Sequence, residues 1–127
     1  MVRILVIDDD AHFRTSLCEN LADEGHDTLE ASNGLEGPKV LANSKVDLVI
    51  TDIIMPEKEG LATIREVQRD YPGTKIIAIS EGGTIPAVDY LRTAKLFGAQ
   101  KTLMKPFRWE DMKQAVTDVL KTESPKT

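Results

Sequence analysis

The chain has 127 residues, 41% hydrophobic and 29% charged, with eight Gly and six Pro. That suffices for one domain with a well-buried core, and the mixture is too ordinary for a disordered or collagen-like chain. The formal charge of −5 recommends neither nucleic acid nor an anionic membrane as the direct partner, and no apolar run reaches the ~18 residues of a membrane span.

Residues 3–7 (RILVI) form an almost unbroken aliphatic run, the pattern of a strand covered on both faces. Phe13, Leu17 and Leu21 recur at helical spacing and predict a helix over 13–24, stopped by Gly25. A strand at 27–31 leads to the turn signal Asn33-Gly34 and a second helix over 35–43, whose start Gly37-Pro38 weakens. The third strand is predicted at 46–51 (VDLVIT) and the fourth at 75–80 (KIIAIS). Between them Leu61, Ile64 and Val67 mark a helix after Gly60, closed by Tyr71-Pro72-Gly73. Pro86 suits the first turn of a helix over 86–97 that ends at Gly98. A short fifth strand at 100–104 precedes a last helix over 108–121, carrying Trp109, Met112, Val116 and Val119. The polar stretch 123–127 reads as a frayed end or the start of a linker.

Five strands alternating with five helices make a (βα)₅ α/β chain. Such crossovers demand parallel strands with helices on both sheet faces, a three-layer sandwich. The expected doubly wound order is 2-1-3-4-5, with its switch point beside strands one and three, so ligand chemistry belongs at the carboxyl ends of those strands.

The charged residues converge there. Asp8, Asp9 and Asp10 leave strand one, and Asp52 leaves strand three, followed by Ile53-Ile54-Met55-Pro56. Aspartates after strands are also common turn and cap residues, a reading that suits Asp52 least because a fully apolar strand precedes it. Carboxylates crowded into one crevice repel unless protonated or neutralised, and a hard divalent cation such as Mg²⁺ is the natural remedy. Ser80 and Lys105 end strands four and five, and Pro106 after Lys105 restricts the backbone and admits a cis bond. Singly, they read as a turn serine and a surface lysine. Together with Asp52, a hydroxyl and an ammonium complement a phosphoryl group, with Asp52 as nucleophile forming an acyl phosphate.

Other chemistries fit poorly. The chain has no Gly-rich phosphate loop and no Gly-x-Gly-x-x-Gly after strand one. His12 and His26 lack the neighbours of a zinc site. Cys18, the single cysteine, cannot form an internal disulfide and reads as a packed or semi-exposed helix residue, not a reactive one, in a reducing compartment. With an N-terminus unlike a signal peptide, the expected location is the cytoplasm. Phe97, Phe107 and Trp109 read as core or core-edge aromatics.

Over residues 2–121 the chain resembles the receiver domains of two-component response regulators, the family of the bacterial chemotaxis and sporulation-phosphorelay regulators. The resemblance rests on Asp8-Asp9, on Asp52 with Met55-Pro56 and Gly60 behind it, on Ser80, and on Lys105-Pro106-Phe107, all in order. It implies a flavodoxin-like fold, with 1–122 as the receiver domain. It implies Asp52 as phosphoacceptor, with Mg²⁺ (or Mn²⁺) held by Asp9, Asp52 and the Ile54 carbonyl and through water by Asp8. Ser80 would be the switch hydroxyl and Lys105 the amine that pairs with the phosphoryl group, with Thr102 and Pro106 in the switch region. Asp10 falls outside this set. The implied donor is a phosphohistidine on a sensor histidine kinase or histidine phosphotransfer protein. The implied output is an altered surface on the 86–97 helix and strand five, read by an effector or by a phosphorylation-dependent homodimer. Its own chemistry is confined to self-phosphorylation and slow dephosphorylation.

The chain departs from the family at four places. Thr102 stands where an aromatic is usual, Glu81 follows Ser80 where a small residue is usual, and Ile54 is apolar where many members are polar. The stretch between Ser80 and Lys105 is also longer than typical, with Gly82-Gly83 in the 81–85 loop. Thr102 and Glu81 leave room for a degenerate receiver that docks partners without phosphorylation. A phosphate-ester hydrolase is disfavoured because no second acid/base accompanies the aspartyl nucleophile.

Overall fold

The computed structural model describes residues 2–53, 60–80, 92, 94, 95 and 98–121. Within them β1 (Arg3–Ile7), α1 (Ala11–Asp23), β2 (Asp27–Ala31), α2 (Glu36–Asn43) and β3 (Leu48–Asp52) alternate. They are followed by α3 (Gly60–Asp70), β4 (Lys75–Ser80), β5 (Lys101–Met104) and the C-terminal helix α4 (Trp109–Lys121). The loop and helix expected over 81–97 and the tail 123–127 fall largely or wholly outside the described residues, as do Ile54, Met55 and Pro56.

All sheet pairings are parallel, in the predicted order β2-β1-β3-β4-β5. Strand alternation divides the core. Leu5, Ile7, Val49, Ile76 and Ala78 face one side, where they pack with Leu41 of α2 and with Ile64 and Val67 of α3. Ile4, Val6, Leu48, Ile50, Ile77 and Ile79 face the other, against Leu17 and Leu21 of α1 and Met112, Val116 and Val119 of α4. Because both faces of β1, β3 and β4 are covered, their sequences are continuous rather than alternating apolar runs.

Several boundaries differ from the sequence expectation, most of them where a side chain takes part in the hydrogen bonding at an element's end. β3 begins at Leu48, not residue 46, since Asp47 turns its carboxylate to accept the Arg3 N–H at 2.9 Å. The strand extends to include Asp52, which pairs with Ile79. β5 begins at Lys101, after Gln100 accepts the Ile76 N–H on its side-chain oxygen at 2.7 Å. α1 begins two residues early because Asp10 caps it, accepting the Phe13 N–H at 3.1 Å. α2 tolerates Pro38 in its first turn. Gly37 there has a packing reason: a Cβ would stand 2.6 Å from Ile7 Cδ1, so a larger residue would require the Ile7 side chain to move aside for α2 to lie this close to β1.

Candidate functional site

The carboxyl ends of β1 and β3 lie side by side, Ile7 pairing with Thr51, so the residues that follow them share one edge of the sheet. Asp8 and Asp52 are buried and Asp9 is exposed, and each offers a carboxylate oxygen within 4.8 Å of the others. Gly60 packs so tightly under this edge that a Cβ on it would overlap the Asp52 carbonyl oxygen and Ile53 Cα. Its N–H donates to the Ile53 carbonyl at 3.1 Å.

Lys105 reaches the same place from the far side of the sheet. Its Nζ donates to Asp8 Oδ2 at 2.9 Å and to Asp52 Oδ2 at 3.2 Å, with the lysine side chain only 11% exposed. The Lys105 backbone N–H donates to the Ser80 carbonyl at 2.7 Å, and the Lys105–Pro106 bond is cis. Ser80 is fully buried at the end of β4, one residue past the Ile79 that pairs with Asp52. Thr102 lies half-buried on β5 opposite Ala78, short of the edge where the charges gather. Pro106 is exposed.

Burial pushes the Asp8 carboxyl above its usual range, although the Asp10 N–H, 2.8 Å from Asp8 Oδ1, and the Lys105 ammonium both oppose this. For Lys105 burial disfavours the charge, yet its contacts with Asp8 and Asp52 prevail and raise it. Three hard oxygen donors, two of them on buried carboxyls, fit a hard divalent cation, which would offset the desolvated charge, and the cluster includes no soft ligand. Asp10 stays outside it as the α1 cap, and its hydrogen bond from Phe13 N–H lowers its carboxyl below the usual value.

Two residues at this site, Arg14 and Phe13, carried no functional reading in the sequence. Arg14 donates to the Asp8 carbonyl at 2.6 Å and, through Nε, to Glu30 Oε1 at 2.8 Å, tying the β1–α1 loop to β2. Phe13 presents its ring to Lys105, Nζ lying 3.9 Å from the centroid, and Phe107 meets that ring edge-on at 5.9 Å and 85°. The signal was Phe13's place at the head of the Leu17–Leu21 stripe, where a core-facing residue also borders the acidic loop. Asp10, Phe13, Lys105, Pro106 and Phe107 line an open cleft of about 410 Å³. Cys18 is buried, the first of the two alternatives for it, and Phe107 and Trp109 are partly buried at the core edge.

Residues 4–117 match the family described as the response regulator receiver domain. The transcriptional regulatory protein GlrR of Escherichia coli is 35% identical over 124 residues, covering 98% of this chain and 27% of that protein. The chain spans about a quarter of GlrR and of the Azospirillum brasilense regulator NtrC, about half of the mycobacterial response regulator MprA, and 95% of a chemotaxis protein CheY homolog of Campylobacter jejuni, to which it is 34% identical. A receiver domain protein from Clostridium thermocellum superposes with a TM-score of 0.86 at 29% identity, over 94% of both chains. The response regulator TrrA of Thermotoga maritima, in complex with Mg²⁺-BeF, gives 0.81 at 32% identity, over 94% of this chain and 99% of that one. Among the described residues, no helix is long and apolar enough to cross a membrane.

Proposed function

Because this chain belongs to the response regulator receiver domain family, we propose that it is a phosphorylation-dependent switch in which Asp52 accepts a phosphoryl group from a phosphohistidine. The observation that carries this reading is the Lys105 ammonium bridging the buried Asp8 and Asp52 carboxylates beside exposed Asp9. Asp52 ends a central strand and is held by the register of β3 with β4, so its carboxylate is presented on a rigid edge. One carboxylate oxygen attacks phosphorus. The new O–P bond forms as the N–P bond breaks, and its electron pair returns to the imidazole of the donor.

Lys105 stabilises the negative charge of the entering group, and the Ser80 hydroxyl donates to a phosphoryl oxygen. Asp9, Asp52 and the Ile54 carbonyl would hold Mg²⁺, or Mn²⁺ in its place, with Asp8 acting through a water. When bound, that ion supplies the charge neutralisation that lets an anionic nucleophile meet an anionic phosphoryl group. The Mg²⁺-BeF complex of the Thermotoga maritima relative supports this assignment. Phosphorylation pulls Ser80 and Lys105 toward Asp52. Because the Lys105 N–H is bonded to the Ser80 carbonyl, that movement alters the surface formed by β5, Thr102 and the 105–107 turn.

The partners on this reading are a sensor histidine kinase or histidine phosphotransfer protein, met in the cytoplasm, and an effector, attached or separate. Relatives that are transcriptional regulators several times longer than this chain support an attached effector.

Intact-mass measurement after incubation with acetyl phosphate and Mg²⁺ tests this. One phosphoryl adduct is expected, labile in base, absent in EDTA and absent from Asp52→Asn. An undiminished adduct on Asp52→Asn overturns the assignment.

A further inference from the structure

The Lys105 ammonium has three N–H donors, and two carboxylates account for two of its contacts. Its third side meets the Phe13 ring, with Nζ 3.9 Å from the centroid. This is the ammonium itself over the ring face, where the aromatic quadrupole is negative, rather than the aliphatic stem against a ring edge. Such contacts are strongest where water is excluded, and this lysine side chain is 11% exposed. The ring is in turn fixed by Phe107, which meets it edge-on at 85°.

A purely structural role would need only apolar volume, since Phe13 and Phe107 both pack against the core under α1 and α4. Leucine would fill that space, but it would present no electron-rich face to the cation.

We propose that Phe13 is a positioning residue for the phosphoryl-transfer site, its braced ring holding the Lys105 ammonium against Asp8 and Asp52. The role rests on the reading of Asp52 as phosphoacceptor. A ring face attracts a cation without a fixed direction. The ammonium can therefore shift from the two carboxylates toward an arriving phosphoryl group while keeping its third contact. Phe13 thus supplies, from the start of α1, a support for the strand-five lysine that does not compete for the incoming oxygens.

The test replaces Phe13 in the full chain with mono-, di- and trifluorophenylalanine, which weaken the quadrupole in steps at nearly constant volume. Phosphorylation is driven by acetyl phosphate with Mg²⁺. The logarithm of the rate is expected to fall with each fluorine, to a total of roughly three- to tenfold, while thermal melting stays unchanged. Phe13→Tyr should retain the rate and Phe13→Leu should lose it. In proton spectra, the ε-methylene signals of Lys105 should lie upfield in the unmodified protein and move downfield in Phe13→Leu. A flat rate series overturns the role of Phe13 and leaves the phosphoacceptor reading intact. Absence of any Asp52 adduct in the unmodified protein overturns that reading, and the Lys105 signals then decide alone whether the ring holds the ammonium.

Discussion

Gly60 lies directly beneath Asp52, so close that a side chain on the glycine would occupy the position of the Asp52 carbonyl oxygen. The start of α3 is thereby pressed against the strand end that carries the candidate nucleophile. Gly60→Ala gains helix propensity of about 1 kcal/mol. The overlap is with backbone, which cannot rotate away, and is expected to outweigh that gain by about 1–3 kcal/mol. The variant should melt lower and be phosphorylated more slowly. Gly73→Ala, where a Cβ meets nothing within 4 Å, is the control expected to change little in the same thermal melt.

The charge cluster should give the metal-free protein two pH windows. Burial raises the Asp8 carboxyl above its ordinary 3.8, so the folded chain keeps a proton that the unfolded chain has released. This contribution to stability is full below 3.8 and is lost as pH rises through the folded value. Lys105 is raised above 10.5 because Asp8 and Asp52 together outweigh the opposing burial. Its contribution is full below 10.5 and is lost as pH climbs through its folded value. Urea unfolding in EDTA at stepped pH should show both slopes, and Asp8→Asn should abolish the acid one. An unchanged acid slope in that variant would show that Asp8 is not its source.

Arg14 ties the Asp8 carbonyl to Glu30, and hence the acidic loop to the edge strand β2. Removing it should loosen the loop without touching a carboxylate of the cluster. Arg14→Met is expected to weaken Mg²⁺ binding roughly tenfold, as loss of an outer-sphere support commonly does. Glu30→Gln, which keeps an acceptor, should cost less. Calorimetric titration with Mg²⁺ measures both.

Cys18 should be chemically silent in the folded state. Burial, reinforced by the nearby Glu30 charge, pushes its thiol up to about 11. At pH 8 roughly one thiol in a thousand is then ionised, and the group has little access to solvent. A disulfide reagent should label the protein only at the rate of unfolding, and within seconds in denaturant. Rapid labelling of the native chain would show that α1 opens locally.

The three central strands were legible in the sequence because burial on both faces leaves unbroken runs such as residues 75–80, and their order followed from the helical crossovers between them. Asp52 was legible as a polar residue ending such a run. The exact strand ends were not, because Asp47 and Gln100 use side chains where backbone would serve, a choice set by neighbours in space. Gly37 looked like a defect in α2, since its reason lies across the interface in Ile7. The ring of Phe13 over Lys105 was invisible for a related cause. Helical spacing explains Phe13 fully, and nothing local indicates that its other face meets a lysine from the opposite end of the chain.

The 2.9 Å contact between Lys105 and Asp8 joins residues 97 positions apart. Together with the Asp52 contact it closes most of the chain into a loop, and it cannot form until β5 has docked on β4. Contacts of such sequence separation carry the largest closure entropy and belong to the late stages of folding. Their strength is therefore expected to be largely absent from the transition state. Weakening the contact should accelerate unfolding far more than it slows folding, which places Lys105→Met on the unfolding limb of a chevron plot. On the proposed reading, the residues gathered for a phosphoryl group would thus also serve as a kinetic latch on the native state.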